Sequence, residues 1–163
     1  DKVQAGNYVV IQFGHNDSSP DKGPERYSTP EEYKANLIRF VNETRAKNAK
    51  PILCTPIMRR RFDEKSNFQD THGIYPDMVR QVADSLRVPL VDMHRRSEKE
   101  IIKHGEEGSK KLFLHIQSGE YEVLPDVLKD DTHFSAYGAR LMAALFVEGI
   151  KELKIKLSKH LKE

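Results

Sequence analysis

Tyr8-Val9-Val10-Ile11-Gln12-Phe13-Gly14-His15-Asn16-Asp17 is the stretch from which the rest of the chain can be read. Its first six residues are apolar at both odd and even positions, interrupted only by Gln12, so both faces suit burial. A short run of this kind, closed by a glycine, predicts an interior strand of a parallel sheet. The polar turn after it then lies beyond the C-terminal end of that strand. In doubly wound sheets this is where functional groups collect.

The pattern repeats along the chain. Ile52-Leu53-Cys54, bounded by Pro51 and Pro56, predicts a second strand, and Val88-Pro89-Leu90-Val91-Asp92-Met93 a third. Helical spacing fills the intervals. Thr29 as N-cap, Pro30 at the first helical position and Glu32 completing a capping box start a helix running to about Asn48. Its apolar face is Tyr33, Leu37, Phe40, Val41 and Thr44. Pro76 opens a second helix with Met78, Val79, Val82, Ala83 and Leu86 on one face. A charged helix is expected from about Arg95 to His104, with Ile101 and Ile102 as its apolar contacts. A last helix starts near Ser135 and packs through Leu141, Met142, Leu145, Phe146, Gly149, Ile150 and Leu153. The segments 17–28, 59–75 and 119–131 read as loops, and Lys111 to Ile116 as a short apolar turn or helix end. This alternation predicts an open α/β sheet of three parallel strands with right-handed crossovers.

Length and charge narrow the classes. A chain of 163 residues with 37% hydrophobic content suits one domain with a core of its own. Lys+Arg 27 against Asp+Glu 25 leaves +2, too little to draw the protein to nucleic acid or a membrane surface. The basic tail from Lys151 onward reads as a solvated helix end. The single cysteine, Cys54, excludes an intrachain disulfide and reads as a small buried hydrophobe. No apolar run approaches the ~20 residues of a membrane span, and no signal peptide is visible.

Two motifs carry chemistry. Asn16, in a turn at a strand end, can aim an amide N–H at a developing oxyanion. Gly14 lets the backbone turn sharply or approach a ligand. Taken alone, Asn16 and Asp17 could equally be caps of an ordinary turn. In Asp130-Asp131-Thr132-His133, a carboxylate three residues ahead of an imidazole can fix its tautomer and leave the other ring nitrogen to accept a proton. Asp131 rivals Asp130 for that role, and an acidic residue is also common at a helix start. Arg59, Arg60 and Arg61 lie on the side where a substrate belongs and suit acidic sugars. His72, Tyr75 and Tyr121 are cleft candidates. His15, Asp17, Asp130 and His133 could in principle ligate zinc or manganese, but no tight ligand spacing supports it, and no metal is expected.

In combination these stretches resemble the SGNH/GDSL hydrolase superfamily, most closely its rhamnogalacturonan acetylesterase-like branch. The resemblance runs from about Gly6 to about Leu157. It rests on Val10 to Asp17, Asp70-Thr71-His72-Gly73 with Tyr75-Pro76, Val88 to Asp92, and Asp131-Thr132-His133-Phe134-Ser135 with Gly138-Ala139. It implies a flavodoxin-like three-layer α/β/α fold. Asn16 matches the oxyanion-hole asparagine, His133 the general base and Asp130 the residue that orients it. Gly14, His72 and Arg59 are expected to bind substrate. The implied reaction is serine-dependent removal of O-acetyl groups from a carbohydrate, with pectic rhamnogalacturonan as the expected substrate and no cofactor. Secreted or periplasmic location is implied as well.

The sequence departs from that pattern in one respect. The Gly-Asp-Ser block that carries the nucleophile, and the block with a further oxyanion glycine, are absent. The 163 residues are therefore expected to form the C-terminal two-thirds of a single domain, lacking N-terminal strands and about 60–80 residues in all. Ser18 and Ser19 are poor substitutes, because they sit in the asparagine turn. The chain alone is expected to be inactive, with the strand at Tyr8 to Phe13 left for an upstream segment or another chain to cover. The rival expectations are a non-catalytic carbohydrate-binding remnant and a GDSL-type esterase for other short acyl groups.

Overall fold

The computed structural model describes residues 2–23, 25–120, 122 and 126–161. Three strands, β1 (Tyr8–Gln12), β2 (Lys50–Cys54) and β3 (Leu90–Val91), form one parallel sheet in the order β1-β2-β3. Their register sets Val10 opposite Ile52 and Cys54 opposite Val91. Side chains alternate between faces along each strand, so each face gathers its own core. Ile11 and Leu53 meet α1 (Pro30–Ala46) and α2 (Tyr75–Ser85) through Tyr33, Leu37, Val41, Val79 and Val82. Ile52, Cys54 and Val91 face α4 (Ala136–Glu152) through Met142 and Ile150. The result is a three-layer α/β/α arrangement, as expected.

The ends of the elements follow local chemistry. The Thr29 hydroxyl accepts the Glu32 N–H at 3.3 Å and the Glu32 carboxylate accepts the Thr29 N–H at 2.9 Å, closing the capping box. β3 is shorter than the six residues anticipated. Its successor, Asp92, already caps α3 by accepting the Arg95 N–H, so the chain turns helical at Met93 rather than Arg95. α3 (Met93–Ser109) also runs past His104, kinked at Gly105 where φ is +69°.

Two stretches depart from the expected elements. Lys111 to Ile116 is a 3-10 turn leading into a strand, β4 (Phe113–Ile116), and residues 128–131 are not loop. They belong to β5 (Leu128–Phe134), which pairs antiparallel with β4 as a separate two-stranded sheet. Leu-Lys-Asp-Asp-Thr-His-Phe has little β propensity. Its strand form rests on β4 and on ion pairs, not on its own pattern. The buried residues Met58, Ile101, Leu112 and Phe113 fasten this ribbon to α3.

Candidate active site

The Asn turn is built from within. Gly14 has φ +128°, and a Cβ there would lie 3.0 Å from Pro56 and 3.1 Å from the Tyr33 hydroxyl, so a side chain at this position would be both strained and crowded. Its N–H donates to Asp17 at 3.0 Å, and the other oxygen of Asp17 accepts from the Ser28 hydroxyl at 3.0 Å. Asp17 thus locks the turn, and the expectation that Gly14 offers its backbone to a ligand is corrected, since its N–H is already used. Asn16 stands exposed at the tip. Among the described residues its amide side chain has no hydrogen-bond partner and is free to donate outward.

The second half lies at the end of β5. One Asp130 oxygen accepts from His133 Nδ1 at 2.6 Å. The other collects the backbone N–H groups of Thr132 at 2.7 Å and His133 at 2.9 Å. Burial works to raise the Asp130 pKa, but the N–H of His133, its ring and the Thr132 N–H outweigh it and hold the carboxyl below its usual range. Nδ1 faces the carboxylate, and the His133 side chain is 74% exposed, which leaves its Nε2 edge open. Asp131 points elsewhere, to Arg60 at 2.8 Å and His115 at 2.7 Å. Of the two adjacent carboxylates, the structure pairs Asp130 with the imidazole. Ser135 fixes the corner, accepting the Gly138 N–H at 3.0 Å and donating to Lys111 O at 2.7 Å.

His15 lies within the Asn turn. Its pKa falls to about 4 through burial, then the charge of Arg59, then that of His133. Behind it, His15 Nδ1 meets His72 Nε2 at 3.0 Å. His72 is 1% exposed. It is therefore a support of the turn and cannot touch a sugar, contrary to expectation. Arg59 also turns inward. It donates to His15 O, to the Ser19 hydroxyl at 3.1 Å and to Thr71 Oγ1 at 3.0 Å. Its guanidinium ties two loops together where contact with a sugar acid was anticipated. Ser18 and Ser19 both donate their hydroxyls to His15 O, at 3.3 and 3.2 Å. Tyr75 is buried and donates to Ser28 O at 2.6 Å. Tyr121 lies outside the described residues.

The metal-ligand set weighed from the sequence does not assemble, because Asp17 and Asp130 are committed to the contacts above. A different trio, Asp70, His72 and His94, does come together. Asp70 stood out in the sequence only as part of the resemblance, and His94 carried no signal, since its partner Asp70 is 24 residues away on a separate element.

Comparison with known proteins gives the following likenesses. The model of the GDSL-like lipase/acylhydrolase family matches residues 1–141. The chain is 40% identical to rhamnogalacturonan acetylesterase RhgT of Bacillus subtilis (strain 168), over 98% of this chain and 67% of that protein. It is 33% identical to the probable rhamnogalacturonan acetylesterase YesY of the same organism, over 97% of this chain and 68% of that one. Among solved structures, the Bacillus subtilis protein YxiM superposes with a TM-score of 0.76 at 23% identity, covering 94% of this chain and 39% of the other.

Proposed function

This chain belongs to the GDSL-like lipase/acylhydrolase family, and we propose from that premise that it is the greater part of a carbohydrate O-acetylesterase domain acting on acetylated rhamnogalacturonan. The observation that carries the reading is the 2.6 Å contact between Asp130 and His133 Nδ1, with the far edge of the imidazole exposed. Held in that tautomer, His133 can accept a proton from a nucleophilic hydroxyl at Nε2 and return it to the leaving sugar oxygen. Asp130, ionised by its N–H partners, stabilises the imidazolium that forms between those steps. Asn16 donates its amide N–H to the oxyanion of the tetrahedral intermediate. The reading places the nucleophilic serine outside these 163 residues, which hold no Gly-Asp-Ser. The relatives named rhamnogalacturonan acetylesterases, of which this chain spans about two thirds, support the substrate class.

A panel of esters tests the substrate. In protein that also carries the nucleophile segment, acetate release from acetylated rhamnogalacturonan should exceed that from acetylated xylan, and aryl acetates should be cleaved faster than longer acyl esters. Equal rates on long-chain esters would replace this reading with a general GDSL esterase. Saccharide binding without acetate release, even when the Gly-Asp-Ser segment of a relative is joined to the chain, would replace it with a carbohydrate-binding remnant.

A further inference from the structure

We propose that Asp70, His72 and His94 form a binding site for one first-row divalent transition-metal ion, zinc being the best match, which staples the loop before α2 to the first turn of α3. The inference does not rest on the esterase reading.

Asp70 and His72 come from the irregular segment between β2 and α2, and His94 from the second residue of α3. One ligand atom of each lies within 4.8 Å of the other two. His94 Nε2 is 3.2 Å and His72 Nδ1 3.7 Å from the same Asp70 oxygen. Tetrahedral ligands about 2.0–2.1 Å from zinc stand roughly 3.3–3.4 Å apart, so these separations bracket that edge length. His72 Nδ1 is the one buried side-chain polar atom among the described residues that has no hydrogen-bond partner. Its ring is fully enclosed, with Nδ1 turned toward Asp70. A buried acceptor left without a partner costs about 1–3 kcal/mol, and a cation at the centre of the trio removes that cost. Two imidazoles and one carboxylate favour zinc, cobalt, nickel or manganese over calcium or magnesium, which prefer oxygen alone. Asp70 is exposed, so the site opens to solvent on that side, from which a water would supply the fourth ligand.

The surroundings supply the outer support that metal-binding histidines need. With Nδ1 on the ion, His72 carries its proton on Nε2 and donates it to His15 Nδ1 at 3.0 Å. The backbone N–H of His94 donates to the Thr55 hydroxyl at 2.8 Å, which fixes the first turn of α3. The Asp70 oxygen also accepts the backbone N–H of His72 at 2.8 Å. An ion here positions His15, and with it the Asn turn. It touches none of the reacting atoms.

The test is a zinc titration of chelator-stripped full chain, read by competition with a chromophoric chelator. One zinc per chain is expected. Asp70→Asn and His94→Ala should each weaken it at least tenfold, and His15→Ala, which removes the outer partner, by about 10- to 100-fold. His133→Ala should bind zinc as the unaltered chain does. Cobalt on the unaltered chain gives a second readout that needs no variant, a visible ligand-field spectrum of a four- or five-coordinate nitrogen–oxygen site. Absence of saturable binding, zinc affinity in Asp70→Asn and His94→Ala unchanged from the unaltered chain, loss of binding in His133→Ala, or a six-coordinate aqua-type cobalt spectrum would each overturn the proposal.

Discussion

Asp130 and Asp131 are neighbours in sequence with separate duties, and this separates their variants. Asp130→Asn removes the charge that steadies the His133 imidazolium and lets the wrong tautomer form. Its kcat should fall by about 10³–10⁴-fold with KM held. Asp131→Asn leaves that pair intact but deprives Arg60, whose side chain is 7% exposed, of its carboxylate. Arg60 keeps Ser109 and Glu106 O as acceptors, so the cost should be about 2 kcal/mol of stability, read from urea unfolding, with kcat little changed. The motif Asp-x-x-His was legible, but the choice between adjacent carboxylates was not. It depends on Arg60 and His115, whose contacts span 71 and 16 residues of chain.

Cys54 gives a residue-scale test of the pH response. Burial is the largest influence on its thiol and pushes the pKa up to about 12, whereas an unfolded cysteine ionises near ~8.5. Above that pH the unfolded chain releases a proton that the folded chain retains. Cys54 therefore lowers stability progressively as pH rises from about 8.5 toward 12 and has no such effect below. A thiol-reactive disulfide reagent at pH 8 should label it only after denaturant is added. Prompt labelling of the native chain would contradict the burial described for β2.

At the scale of elements, α4 makes two close approaches that differ in kind. A Cβ on Gly138 would lie 1.9 Å from the carbonyl oxygen of Leu112, which is backbone, while one on Gly149 would lie 2.5 Å from a Val91 methyl. Backbone cannot step aside as a valine rotamer can. Gly138→Ala should therefore destabilise by about 3 kcal/mol or more and Gly149→Ala by less, compared in one thermal-melt series. Capped helices with periodic faces were readable, as α1 shows, because its start and its buried stripe are local properties. β5 was not readable, because a strand of charged residues owes its form to β4 and to distant ion pairs. The ends of β3 and α3 shifted for a related reason, since Asp92 serves as both strand end and helix cap.

For the whole molecule, the three-layer order was visible in the alternation of apolar runs, while the path of the polar loops was not. Loops 14–19 and 59–75 meet through His15, Arg59 and His72, and no periodicity encodes that meeting. Residues anticipated as sugar contacts consequently proved to be the frame behind the site. The same view draws attention to β1. Among the described residues it pairs on one side only, and Val10 and Phe13 are 45% and 52% exposed. An apolar strand edge of this kind recruits other strands. Prepared alone, the 163 residues should self-associate. A monodisperse monomer in light scattering, with a sharp thermal transition, would contradict that expectation.

The central claim, that His133 oriented by Asp130 is the general base of a carbohydrate acetylesterase, is tested most directly by acetate release from acetylated rhamnogalacturonan. The comparison is between the unaltered site and His133→Ala, in protein that also carries the nucleophile segment. The account predicts a fall in kcat of about 10⁴-fold or more, with saccharide binding retained and the fold unchanged by circular dichroism. Acetate release that survives in His133→Ala within tenfold would contradict it.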